Sequence, residues 1–458
     1  REPRAGEPQR DPERRLMRSV EMVARDLDTT WVIVAGVLVM FMQAGFACLE
    51  IGFSRGKNVG TVVAKILVNF SICAIVWWAC GFALGFGGGG KLFGDTGFAF
   101  SIGTHIGATS AIPGPLNAHG AAYAFFEFVF CAVSLAVVWG TTLERIRFIA
   151  YPIYAIVFAG FIYPAVSHWI FAGGLLGHIG HGMQDFAGST VVHLTGATGG
   201  LAALLLLGPR RGKYGEDGRA RAIPGHSMPI FGLGVLILWL GWFGFNPGST
   251  LSAANGRFAE VVFVTNLAAA AGVLGAAATV QLITGRLDVG MIGNGAIAAL
   301  VAITAPSGFV EFWAAPIIGV VAGVLVVVSV LAIDKYLDDP VGALSAHGVA
   351  GIWGTLACGL FSSPRLVAIN GVGQPGLAYT GSFEQLGVQA AGVGIVFVFV
   401  FVVSYLTFGA IKAIFGLRVS DEEELEGLDI AEHGMYGYPE QFVAPGTETE
   451  LAGLLTER

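Results

Sequence analysis

The sequence predicts an all-α polytopic membrane protein with eleven transmembrane helices, built as two inverted five-helix repeats plus a final helix. Three observations carry this expectation. The 458 residues are 54% hydrophobic and only 12% charged, with a mean hydropathy of +0.71, whereas about a quarter of a soluble domain is charged. The apolar runs are roughly 20 residues long and do not alternate, which suits helices crossing about 30 Å of hydrocarbon and not barrel strands of about ten alternating residues. Finally, two small-residue stretches each carry a lone histidine: DFAGSTVVHLTGATGG (Asp185 to Gly200, with His193) and ALSAHGVAGIWGTLA (Ala343 to Ala357, with His347). The histidines lie 154 residues apart. That is about five spans with their loops, as in an internal repeat with its site at the repeat interface.

Taken in order, residues 1–28 are rich in Arg, Glu and Pro and then form a weakly amphipathic piece, Leu16 to Leu27, so a loose polar tail is expected. A membrane domain over residues 29–413 follows, with spans at about 30–53, 61–86, 117–141, 149–171, 189–208, 227–246, 260–284, 290–305, 312–336, 342–362 and 386–412. Gly87 to Gly90 closes the second span, and GWFGFNPGS (Gly241 to Ser249) closes the sixth. The eighth is short and holds Asn294, so its neighbours should shield it. Residues 414–458 form a C-terminal tail. An odd number of spans puts the termini on opposite faces. The loops with Arg55, Lys57, Arg145, Arg147, Arg210, Arg211, Lys213, Arg219, Arg221, Arg286, Lys335, Lys412 and Arg418 share one face, and the other has Lys91, Arg257 and Arg365. The basic face is cytoplasmic by the positive-inside rule, which sets the N-terminus outside and the C-terminus in the cytoplasm of a plasma (inner) membrane protein. Arg10, Arg14, Arg15, Arg18 and Arg25 pull the other way, and removal of a leader would reconcile the two.

The net charge of −7 is concentrated in tails and loops, and no nucleic-acid footprint appears. The five cysteines all lie in apolar spans without paired spacing, which fits small core residues better than a disulfide framework or a zinc site. A membrane hydrolase would need a nucleophile, a base and an orienting group, and no such set is present. These residues imply no enzyme and no cofactor.

An ionisable ring in a bilayer is expensive unless it faces a cavity or a partner. His193 and His347 are therefore either core residues bonded to carbonyls or a pair handling protons or a polar solute. Phe126, Phe130, Phe171, Trp242, Phe243 and Phe245 are either packing residues or faces on which a cation can rest, and Ser249 could add a hydroxyl acceptor. Glu50 either pairs with Arg55 or Lys57 or takes part in gating. Asp185 is a helix N-cap, a charge acting on cations at the outer mouth, or both.

Seven stretches go further: RGKN (Arg55 to Asn58), ERIRF (Glu144 to Phe148), DFAGSTVVH (Asp185 to His193), GWFGFNPGS, DDP (Asp338 to Pro340), SAHGVAGIWG (Ser345 to Gly354) and the tail GLRVS…EEELEGLDIAEHG (Gly416 to Gly434). Together they resemble the ammonium transporter, methylammonium permease and Rhesus family over roughly residues 30–440. The resemblance implies a homotrimer, each subunit with its own pore, taking ammonium or methylammonium. By position His193 and His347 look like the twin pore histidines, and Phe130 and Phe245 look like the stacked aromatic gate. Phe171, Ser249 and Asp185 fall at the outer site, where Phe171 stands in place of the family's usual Trp, and Phe126 is taken as a further substrate-binding aromatic. The implied function is uptake by deprotonation at the outer site and conduction of ammonia past the histidines. The alternative is an ammonium sensor of the same fold signalling through its C-terminal region. The tail is implied to pack under a neighbouring subunit and to answer to PII-type regulatory proteins, with Leu425, Leu428 and Ile430 as its apolar face and Asp421 to Glu424 and Glu426 in water.

Overall fold

The computed structural model describes residues 12–101 and 120–439. Among these residues the protein is helical, with no strand beyond two isolated bridges. Each predicted apolar run falls on a helix: α1 (Pro12–Phe53), α2 (Gly56–Phe86), α3 (Gly120–Gly140), α4 (Ala150–His178), α5 (Ser189–Leu207), α6 (Met228–Gly248), α7 (Arg257–Thr284), α8 (Val289–Thr304), α9 (Ala314–Ile333), α10 (Leu344–Phe361) and α11 (Glu384–Ile414). Ten of these helices are long and apolar enough to cross a membrane, and α8, at 16 residues, is the short one. As anticipated for a short span, α8 is enclosed by its neighbours: every residue from Asn294 to Thr304 is buried. Residues 117–119, the predicted start of the third span, lie outside the described residues.

Between the halves, α1 packs along α6 and α5 against α10. Close approach depends on small residues, because lipid offers no hydrophobic drive for helices to associate. Where α9 crosses α7, a Cβ at Gly319 would stand 2.1 Å from the carbonyl oxygen of Ala268. Leu67, Ile75, Leu236, Leu274 and Leu406 point outward from the bundle, as a lipid-facing surface demands.

Three expectations are corrected. Residues 12–28 are not a loose tail but the first four to five turns of α1. Pro12 opens the helix, and no Gly or further Pro interrupts the chain before Gly36, so a helix nucleated in the bilayer propagates outward at little cost. Glu50 pairs with neither Arg55 nor Lys57 but with Lys65 of α2, both side chains being almost fully buried. The two loop cations are already engaged, Arg55 by Glu144 at 2.8 Å and Lys57 by the carbonyls of Glu424 and Leu425. Nor do the tail acids all stay in water.

That last correction comes from two short helices, α12 (Asp421–Glu426) and α13 (Leu428–His433), that dock on the basic face. Glu424 is buried against Arg418 at 2.5 Å and accepts the backbone N–H of Arg211 at 2.7 Å. Asp429, also buried, accepts the N–H groups of Gly60 and Thr61 at 2.9 and 2.8 Å. Leu428 is buried, whereas Leu425 is 63% exposed and Ile430 only partly covered. The first turn of α2 leaves backbone donors unsatisfied, and an acidic side chain meets them better than an apolar one. Beneath the tail, Arg210 bridges Glu144 at 3.2 Å and Asp338 at 2.8 Å. Burial raises the Asp338 carboxyl, but hydrogen bonding to Arg210 and the charges of Arg145 and Arg210 outweigh it and bring it down to about 2.

Candidate functional site

The site grows from the start of α5. Asp185 accepts four backbone N–H groups there: Oδ1 from Gly188 (2.7 Å) and Ser189 (3.0 Å), Oδ2 from Thr190 (2.9 Å) and Val191 (3.1 Å). It is an N-cap with both oxygens used. Burial pushes its carboxyl up to about 6, against the downward pull of those four donors. Gly188, at φ 117°, turns the chain into a left-handed conformation that only glycine adopts easily.

The first turn after this cap, Ser189–Leu194, is π-helical. A π turn widens the helix and leaves carbonyls poorly paired, a geometry found often at functional sites. Here hydroxyls make up the deficit: Ser134 donates to the Val192 carbonyl at 2.6 Å and Thr195 to that of Thr190 at 3.1 Å. The same device recurs in the second half, where α10 begins with the π turn Leu344–Val349 and the Asp339 carboxylate accepts the Leu344 N–H at 2.7 Å. Burial raises the Asp339 carboxyl. Asp185 precedes His193 by eight residues and Asp339 precedes His347 by eight. Sequence reasoning missed Asp339 as the partner of Asp185, and this equal spacing is the signal that would have found it.

The two π turns bring the histidines together. Nδ1 of His347 and Nδ1 of His193 share a hydrogen bond of 3.2 Å, with ring centroids 5.2 Å apart. His193 is fully buried and His347 is 5% exposed. One proton between two Nδ1 atoms requires opposite tautomers, so the pair offers one free Nε2 acceptor and one Nε2–H donor. His193 Nε2 has no hydrogen-bond partner. His193 stacks on Trp242 at 5.3 Å and on Phe245 at 5.5 Å. Trp242 is held in place by its Nε1–H donating to Thr304 Oγ1 at 2.9 Å.

Phe245 in turn stacks on Phe130, with centroids 3.9 Å apart and planes at 19°, and Phe130 touches Phe126 at 4.6 Å. All three rings are buried. Above them, on the face opposite the basic loops, opens a cavity of about 210 Å³ whose lining includes Phe126, Phe130, Phe171, Asp185 and Ser249. Of the six residues expected to meet the substrate, at the outer site or in the aromatic gate, five share this cavity, and the sixth, Phe245, is stacked on Phe130. Ser249 donates its hydroxyl to the Phe245 carbonyl at 2.9 Å, which leaves the oxygen lone pairs free to accept. On the far side His347 borders a void of about 20 Å³ with Phe46, Leu49 and Asn294. Two further residues of the large cavity, Tyr123 and Glu127, escaped sequence reasoning. A carboxylate in the apolar run YAFFEFVF was the available signal.

A polytopic helical bundle that leads from an aromatic cavity to a buried histidine pair is the architecture of a membrane transport protein. Comparison with known proteins agrees and is more specific. Residues 30–438 match the model of the Ammonium Transporter Family. The chain is similar to ammonium transporter Amt2 of Archaeoglobus fulgidus (43% identity, covering 93% of this chain and 91% of that protein) and to ammonium transporter Amt1 of Haloferax mediterranei (37%, covering 92% and 80%). Among solved structures it resembles a protein described as Sensor Amt Protein, with a TM-score of 0.82, 33% identity, and coverage of 90% of this chain and 100% of that one. Mep2 of Candida albicans follows at a TM-score of 0.79 and 27% identity, covering 92% of each chain. The chain belongs to the ammonium transporter family.

Proposed function

We propose that the protein takes up ammonium, and methylammonium as a larger analogue, through a twin-histidine pore in each subunit of a homotrimer in the plasma membrane. In this reading the large cavity faces outward, the N-terminus is outside, and the basic face with its docked tail is cytoplasmic. Ammonium gathers in the cavity against Phe126, Phe130 and Phe171 and donates to Ser249, while Asp185 adds negative potential from the wall. The ion then loses its proton, and ammonia passes between Phe130 and Phe245 to His193 and His347.

Magnitudes favour deprotonation over passage of the intact ion. Drawing a cation into a dry pore costs several kcal/mol even after relaxation. Removing a proton from an amine-type group of pKa about 10 at pH 7 costs roughly 4 kcal/mol, at 1.36 kcal/mol per unit. The neutral molecule then finds an Nε2 acceptor and an Nε2–H donor on the histidine pair and needs no counter-charge.

The observation that carries this reading is the unbroken column from cavity to Phe130, Phe245, His193 and His347, each member in ring contact or hydrogen-bond distance of the next. Its test is ammonium-evoked current from proteoliposomes on a solid-supported membrane. His193→Ala and His347→Ala should leave an assembled protein yet alter the flux or its selectivity against potassium. Parental flux and selectivity in both variants would remove the histidines from the pathway. The likeness to the Sensor Amt Protein favours a second reading, an ammonium sensor, for which the parent would bind ammonium and show no sustained flux.

A further inference from the structure

The outer cavity holds two acids, and their surroundings differ. Asp185 has spent both oxygens on four backbone donors. Glu127 is 5% exposed, and its Oε2 has no hydrogen-bond partner. The side-chain hydrogen bond it does make is with the hydroxyl of Tyr123, a turn earlier on α3. Tyr123 is itself wedged edge-on against Phe82 and Phe86, which fixes that hydroxyl.

The contrast extends to the other buried carboxylates of the described residues. Glu50 has Lys65, Glu144 has Arg55 and Arg210, Asp338 has Arg145 and Arg210, and Glu424 has Arg418. Asp28 and Asp429 are bonded to backbone N–H groups. Glu127 alone in this set has neither a cation nor a backbone donor. Burying a carboxylate without compensation costs several kcal/mol, so a group kept in that state needs a reason outside the fold. Its free oxygen belongs to a residue lining the same cavity as Phe126, Phe130, Phe171 and Ser249.

We propose that Glu127 is the direct ligand of the cation in this cavity. This rests on the reading of the cavity as the ammonium site and deepens it. Phe171 is a weaker cation platform than an indole, and an ionic hydrogen bond from the substrate N–H to Oε2 supplies attraction that the aromatic faces lack. The ligand class follows: small monovalent cations that carry N–H donors, ammonium first and methylammonium second. Ammonium has four donors to share between Oε2, the Ser249 hydroxyl oxygen and the ring faces, whereas potassium has none.

The test uses the full chain in proteoliposomes. Glu127→Gln keeps the shape and removes the charge, so the half-saturation for ammonium current should rise about tenfold or more while the maximal current stays near the parent's. Glu127→Asp should recover part of the loss. A second measurement needs no variant: infrared difference spectra of the parent, ammonium minus potassium, should contain a carboxylate band. An unchanged half-saturation in Glu127→Gln, or the absence of that band in the parent, would overturn the assignment. The pore reading is judged separately: a parent that conducts ammonium with altered flux in His193→Ala, beside a silent Glu127→Gln effect, sinks only the Glu127 ligand. A parent that neither binds nor conducts ammonium sinks both.

Discussion

Asp429 is the tail residue whose loss should be felt most locally. Its two oxygens meet the N–H groups of Gly60 and Thr61, and the Thr61 hydroxyl also lies 3.3 Å from Oδ1. These are the second and third residues of the helical stretch Val59–Val76, donors with no partner inside their own helix. A residue almost 370 positions away thus does the work of an N-cap. Replacing a capping side chain by Ala costs about 0.5–2 kcal/mol, and the charge at a helix N-terminus is worth about another 0.3–1. Asp429→Ala should therefore weaken docking by about 2 kcal/mol, roughly a thirtyfold change in the docked population. Asp429→Asn, which keeps one acceptor oxygen, should lose about half of that.

The tail would not come free. Leu428 N–H still donates to Asn58 Oδ1 at 2.9 Å, and Glu424 keeps Arg418 and the Arg211 N–H. The effect should be confined to the α2 start and α13. Hydrogen exchange on the reconstituted protein reads it directly: protection of the Gly60 and Thr61 amides should fall by more than tenfold in Asp429→Ala, with α5 and α10 unchanged. Exchange at those two amides within twofold of the parent would refute the capping argument, because they have no other acceptor in reach of their own helix.

Other expectations concern the cavity, the basic face and the tail as a whole. Phe171→Trp should strengthen ammonium capture by about 0.5–1 kcal/mol, a two- to fivefold drop in half-saturation, since indole is the better cation platform; an unchanged value would take Phe171 out of the site. The Asp338 carboxyl is depressed from 3.8 to about 2 in the fold, so its ion pairs stabilise fully above about pH 4, and that contribution, about 2 kcal/mol at 1.36 kcal/mol per unit, is lost as pH falls from 4 to 2. Thermal denaturation in detergent should show this acid loss in the parent and a smaller one in Asp338→Asn, and equal slopes would argue against the pairing. Deleting the chain from Gly416 onward should leave the spans inserted but lower or deregulate ammonium current; normal transport, normal assembly and an unchanged response to a PII-type protein would show the tail to be passive.

The bilayer explains why so much of the fold was legible. Length and apolarity alone mark a crossing helix, and the predicted edges fall within a few residues of the observed ones for most spans. The extension of α1 was not legible from hydropathy, because residues 12–28 are helical for reasons of propensity and continuity and not of burial. The histidines stood out because an ionisable ring in an apolar run must have a cause. Lys65 and Glu127 obey the same logic in KILVNF and YAFFEFVF, and reading them that way would have found the Glu50 partner and the second acid of the cavity. What no reading of residue types reveals is how an acid's oxygens are spent. Asp185 and Glu127 line one cavity with the same functional group, yet one faces four backbone donors at a helix start and the other a single tyrosine hydroxyl on a helix wall. Donor count follows from backbone direction at each site, and it separates a carboxylate occupied by its own fold from one with a lone pair left for a cation.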